Sequence, residues 1–249
     1  MIDYKRFILF RCLLRKQVAI IAVFLFTGFY SQAQQVEIYR ADHDNLPYYF
    51  GLSFAYNSSF LHTTKSPRFL QNDSVLSVEP GKSGGISLGL LGTLRLSNRL
   101  QFRFNPQLIV GASKYLTYNL KYPTVDEPAV VEKTLPTTIV SFPFQLKFNS
   151  DRINNFRVYM FGGVKADIDL AANSAARNAD DQVKLQKYDY GVEGGVGFNF
   201  YLPFVTVSPE LKFSDGLRNL LVPDAALKYS SVLDKIQSRM IVFSILLEE

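Results

Sequence analysis

The chain has 249 residues, of which 47% are hydrophobic and 14% aromatic, with 21 Phe, 14 Tyr and no Trp. Its formal charge of +5 is concentrated at the start: residues 1–33 hold Lys5, Arg6, Arg11, Arg15 and Lys16 against Asp3, so the remainder is close to neutral and gives no support to a nucleic-acid-binding face. One cysteine, Cys12, excludes a disulfide-stapled domain, and two histidines, His43 and His62, leave too few ligands for a zinc site.

Residues 1–33 read as a secretory signal: a basic start, the apolar run Val18–Phe29, then the small residues Ser31-Gln32-Ala33 before Gln34. The apolar run is short for a membrane-spanning helix, which needs about 20 residues. Residues 34–47 are polar and aperiodic, a short periplasmic lead-in. Residues 48–249 then change character. The first strand, Tyr48–Phe60, sets Tyr48, Phe50, Leu52, Phe54 and Tyr56 on one face and Gly51, Ser53, Ala55 and Asn57 on the other. A polar loop at Leu61–Ser83 follows, then a second strand over Gly84–Leu96. Ser97-Asn98-Arg99 is a tight turn into a third strand, Leu100–Tyr118, with Gln101, Arg103, Asn105, Gln107 and Ser113 inward. After a loop at Asn119–Lys133, a fourth strand over Thr134–Phe148 turns at Asn149–Asn155 into a fifth, Phe156–Asp169. Beyond the loop Leu170–Gln186, the stretch Tyr188–Phe213 forms a sixth and a seventh strand around Leu202–Pro203. Ser214–Gln237 is the last long segment, with a short helix expected at Ala225–Ile236, and Ser238–Leu247 is the eighth strand.

Alternation with period 2 marks a strand with one apolar face. Soluble strands run about 5–6 residues, whereas these run about twice that, as a tilted strand crossing a bilayer must. The connections alternate long and short from end to end. Together these features predict an all-β fold, an eight-stranded antiparallel transmembrane β-barrel of an outer membrane. Its long loops are external, its short turns periplasmic, and both termini periplasmic. Closure follows from the solvent: an open sheet edge in lipid leaves backbone groups without partners, at several kcal/mol each. Pro106, Pro143 and Pro209 fall inside these strands and are expected near bulges or the rim.

The inward face carries Arg95, Arg103, Lys147, Lys165 and Lys212 with Asp167, Asp189, Glu193 and Glu210. Eight strands enclose a space that side chains fill, so these charges are expected to pair as a plug. A small polar conduit is the alternative. Gly191–Gly197, GVEGGVG, lacks the order of a dinucleotide loop and has no helix after it, so its glycines read as room on the inward face. His62 with Ser58, Ser59 or Ser66 and Asp73 is the one catalytic arrangement to consider, a rim hydrolase acting on lipid; a solvated loop histidine is the simpler reading.

The segment Ser208–Leu221, SPELKFSDGLRNLL, followed by Tyr229–Arg239, YSSVLDKIQSR, and the closing IVFSILLE, together with the YYFGLSFAYNSSF start at Tyr48, resembles the PorT family of Bacteroidetes. The LKFS-x-GL-N-L pattern is its most specific part, and the likeness runs from about residue 46 to the end. The resemblance implies a non-enzymatic outer-membrane barrel required for type IX secretion, and in gliding relatives for motility. Its partners would be outer-membrane lipid and other secretion components, with no cofactor and no small-molecule substrate. Asp215, Arg218 and Asn219 are candidates for ordering the last external loop or meeting a partner.

Overall fold

A computed structural model describes residues 37–67, 69, 75–123, 128–172, 185–222 and 232–249. The expected secretory signal and Cys12 lie outside the described residues, as does Asp73. The strands are β1 (Tyr48–Lys65), β2 (Val75–Pro80), β3 (Lys82–Arg95), β4 (Leu100–Phe104), β5 (Gln107–Val110), β6 (Lys114–Leu120), β7 (Val130–Leu135), β8 (Thr138–Asn149), β9 (Phe156–Asp169), β10 (Tyr188–Tyr201), β11 (Thr206–Gly216) and β12 (Leu233–Glu248). Antiparallel pairing runs β1-β12-β11-β10-β9-β8, then through β4 and β5 to β3, and β3 pairs back onto β1. β4 and β5 are two pieces of one stave, so the ring has eight staves and no open edge.

A 14-residue strand such as β9 is about 46 Å long at 3.3 Å per residue, enough to cross a bilayer at the usual tilt. Parity then sorts the faces. In β1, Phe50 is 63% exposed while Ser53 and Asn57 are buried. In β10, Val192, Val196, Phe198 and Phe200 face out while Gly191, Glu193, Gly197 and Asn199 are buried. An exposed apolar face over buried polar residues is the inverse of a soluble core, and it is stable only if lipid covers the outside.

The prolines explain where the wall breaks. Pro106 separates β4 from β5, and in the β8 register Asn105 stands opposite Pro143. Neither proline has an N–H to donate, so the ladder lapses there and is bridged by Asn105 N–H to the Pro143 carbonyl at 3.3 Å and Leu90 N–H to the Pro106 carbonyl at 3.0 Å. Pro209 sits near the short-turn rim, pairs with Ile245 on β12, and interrupts the β10 ladder on its other side.

Three expectations need correction. The third strand does not run unbroken over Leu100–Tyr118: the chain turns at Gly111, whose φ is +79°, and the parity shifts. Ala112 and Lys114 are therefore buried and Ser113 is not. Residues 114–120 leave the barrel as β6, the centre of a separate sheet ordered β2-β6-β7. The segments read as the first two long loops thus build a cap with its own core. Leu61, Val78, Leu116, Tyr118, Leu135, Leu220, Leu221, Val232 and Ile236 pack there. Finally, the expected helix over Ala225–Ile236 is not formed at its C-terminal end, because β12 starts at Leu233 and pairs with β1 up to Lys65. Residues 223–231 lie outside the described residues.

Candidate functional site

The lumen is built in rows set by the register. Along one row Arg103 (β4), Gln145 (β8), Gly163 (β9), Glu193 (β10) and Ser214 (β11) stand side by side. Arg103 Nε donates to Gln145 Oε1 at 2.6 Å, and Gln145 Nε2 donates to Glu193 Oε1. Gly163 lets them meet: a Cβ there would run into the Phe144 carbonyl and Gln145 backbone. Lys212 closes the row's far side, its Nζ 3.2 Å from Glu193 Oε2.

Two rows nearer the short turns, Tyr159, Gly197 and Glu210 stand together. Arg103 Nη1 donates to Glu210 Oε1 at 2.5 Å, and the Tyr159 hydroxyl donates to the same oxygen at 2.6 Å. The guanidinium also lies 4.8 Å from the Phe161 ring centroid. Lys147 Nζ sits 3.9 Å over the Tyr159 ring and 3.7 Å from Glu248 Oε2. At the long-loop end Asp167 takes Lys165 Nζ at 2.6 Å and the Ser141 hydroxyl at 2.5 Å. Asp189 stands directly opposite Asp167 in the register, with Lys165 and Lys114 as the nearby cations. Lys114 donates to Ser238 Oγ at 2.8 Å.

Of the nine lumen residues expected from sequence, the structure brings Arg103, Lys147, Lys165, Asp167, Glu193, Glu210 and Lys212 into buried contacts, and puts Asp189 beneath the cap. Arg95 is not part of this interior set: it lies at the short-turn mouth and donates to the His43 carbonyl at 3.0 Å. Sequence reasoning missed Glu248 and Lys114. Continuing the parity of Ser244 would have found Glu248, but Lys114 follows a phase shift that only the geometry at Gly111 shows.

The lead-in is not a slack segment where it is described. Ala41–Asn45 forms a single 3-10 turn seated in the short-turn mouth. His43 is buried, its ring 4.6 Å from Tyr49 and 6.0 Å from Tyr201. Burial, followed by the nearby Arg40 cation, pulls the His43 pKa down to about 4, so the imidazole is neutral at pH 7. Asp44 pairs with Arg152 and Arg157, each at 3.0 Å. Arg40 Nη1 donates to Thr206 Oγ1 at 3.1 Å and to the Glu248 carbonyl at 2.8 Å.

At the other end Asp215 pairs with Arg239 at 2.9 Å. Asn219 is a junction: its Oδ1 accepts from the Leu221 and Ile236 N–H groups at 3.1 and 3.0 Å, and its Nδ2 donates to the Asp234 carbonyl at 3.0 Å. Arg218 reaches the Tyr188 carbonyl at 3.3 Å. These three residues order the passage from wall to cap. His62 is exposed on β1, paired with Gln237. Ser58 is four residues along the same strand, about 13 Å away, and Ser59 faces the opposite side. Among the described residues no His/Cys/Asp/Glu group could hold a metal ion.

Among curated proteins none matches this sequence. The structure is similar to Neisserial surface protein A (9% identity, 79% of this chain and 95% of that one, TM-score 0.36). It is also similar to Ail of Yersinia pestis (12%, 82% and 100%, TM-score 0.37) and to OprG of Pseudomonas aeruginosa (14%, 81% and 92%, TM-score 0.38). A family model described as outer membrane protein beta-barrel domain matches residues 32–222. That match spans the lead-in, most of the staves and the wall-to-cap passage, and the chain accordingly belongs to the outer membrane protein beta-barrel domain family and resides in the outer membrane.

Proposed function

We propose that this barrel is a non-enzymatic outer-membrane component required for protein export by the type IX secretion machinery, in the manner of the PorT family, with gliding as a dependent process in motile relatives. Both termini face the periplasm and the cap faces outward. The barrel acts through contacts with other envelope proteins rather than as a pore. The observation that carries this reading is the LKFSDGLRN segment, Leu211–Asn219, in which the resemblance is most specific. In support, this segment is ordered: its last residue holds three backbone groups of the cap in place. A lumen filled by paired charges suits a protein whose work is done at its surfaces. The exposed setting of His62, with Ser58 about 13 Å off, speaks against a lipid-modifying enzyme.

The test is a deletion strain, with cargo proteins quantified in medium and periplasm. Cargo retained inside the cell and released again on complementation supports the reading. Normal export from a cell with a leaky envelope or reduced adhesion overturns it in favour of an OmpX-like adhesion or envelope-integrity barrel.

A further inference from the structure

We propose that residues Tyr39–Asp44 are a releasable plug, latched by Asp44, that keeps the short-turn mouth closed to solutes. The seat is specific. Asp44 sits between two guanidiniums whose side chains are about nine-tenths buried, Arg152 and Arg157. Arg152 also lies 3.8 Å over the Tyr201 ring, and its Nη2 donates to the Tyr39 carbonyl. Tyr39 N–H donates to Asn155 Oδ1 at 2.9 Å.

Two features separate this contact from the wall. Arg40 holds a left-handed backbone, φ 53° and ψ 45°, which an arginine adopts only when its surroundings hold it there. The surroundings are the mouth itself, through Thr206 and the Glu248 carbonyl. In addition, buried polar atoms at the seam lack protein partners: both ring nitrogens of His43, and Oε1 of Glu248 beneath it. Parting the seam relieves the strain at Arg40 and returns those atoms to water. A wall strand has no such compensation, since leaving it strands its ladder in lipid. Asp44 is therefore the latch: without it, Arg152 and Arg157 repel one another in the mouth and the segment loses two ion pairs.

Thiol accessibility reads the plug. With the native cysteine removed (Cys12→Ser), Ser208→Cys reports on the lumen just inside the mouth, because Ser208 is buried and its hydroxyl lies 3.3 Å from Glu248 Oε2. Ser141→Cys, next to Asp167 at the far end, is the control. A small charged methanethiosulfonate is added to folded protein in vesicles. The expected result is slow labelling at position 208, raised at least about tenfold by Asp44→Ala, a factor worth about 1.4 kcal/mol of docking. Asp44→Glu restores slow labelling, and position 141 stays silent throughout. Fast labelling of position 208 in the parent, or no change with Asp44→Ala, overturns the proposal. So does joint exposure of positions 208 and 141, because Asp44 would then support the whole barrel rather than its mouth.

Discussion

Replacing Glu210 by Gln removes one charge from the closest of the fully enclosed ion pairs of the lumen. Arg103 and Glu210 side chains are 0% and 3% exposed and meet at 2.5 Å. The substitution keeps the shape but leaves the guanidinium buried without its counter-charge, and the Tyr159 hydroxyl with a weaker acceptor. Breaking one side of a buried pair costs about 3–5 kcal/mol, because the remaining charge has already lost its hydration. The exposed pair of Arg99 and Asp151, 60% and 78% exposed at 2.9 Å, sets the contrast: such pairs contribute about 0–1 kcal/mol. Urea unfolding of the barrel in lipid vesicles, followed by the gel-mobility difference between folded and unfolded forms, measures both. Glu210→Gln should shift the folding equilibrium by two to three and a half powers of ten, and Asp151→Asn by less than one. The double change Arg103→Met/Glu210→Leu should recover part of the loss, since no charge is then buried alone, while the Tyr159 hydroxyl and the Gln145 side-chain oxygen still lose their partners. A loss under about 1 kcal/mol for Glu210→Gln would mean that water reaches this pair and the lumen is not filled.

Two further outcomes follow from the ends of the barrel. His43 has a folded pKa of about 4 against an ordinary 6.5, so the docked plug holds a neutral ring; docking is at full strength above about pH 6.5 and weakens as pH falls from there toward 4. A spin label at Ile38→Cys in the Cys12→Ser background should grow more mobile between pH 7 and 4.5 and stay unchanged between pH 7 and 8.5, and the opposite trend would show that the imidazole docks charged. Asn219→Ala leaves the Leu221 and Ile236 N–H groups without their acceptor, at about 1–3 kcal/mol for each group that stays buried. The effect should be local: faster proteolytic nicking of the cap, with the urea midpoint of the wall unmoved.

The wall was legible in the sequence because a barrel in lipid obeys one rule, alternation, over strands too long to mistake. Parity, with the polar segments on either side, marks β9 at Phe156–Asp169, and of the inward glycines of GVEGGVG, Gly197 is the gap across which Tyr159 meets Glu210. The cap was not legible. β2 and β6 are short strands of six and seven residues whose apolar side faces a small core, so Val75 and Val78 look like scattered apolar residues in a polar loop, while Leu116 and Tyr118 read as the end of the third wall strand. The mouth plug was hidden for a related reason. Its contacts join Asp44 to Arg152 and Arg157, more than a hundred positions away, and no local pattern records such a pair. The phase shift at Gly111 cost Lys114, since a positive φ at one glycine moves every later side chain to the other face.

A filled lumen closed at its short-turn mouth passes no ions. Ion conductance of the purified full-length protein in a planar bilayer at neutral pH tests this most directly. A silent bilayer is expected, with no discrete conductance steps from the folded protein. Stable, reproducible channels of uniform size would contradict it, and would return the lumen charges around Arg103 and Glu210 to the role of a polar conduit.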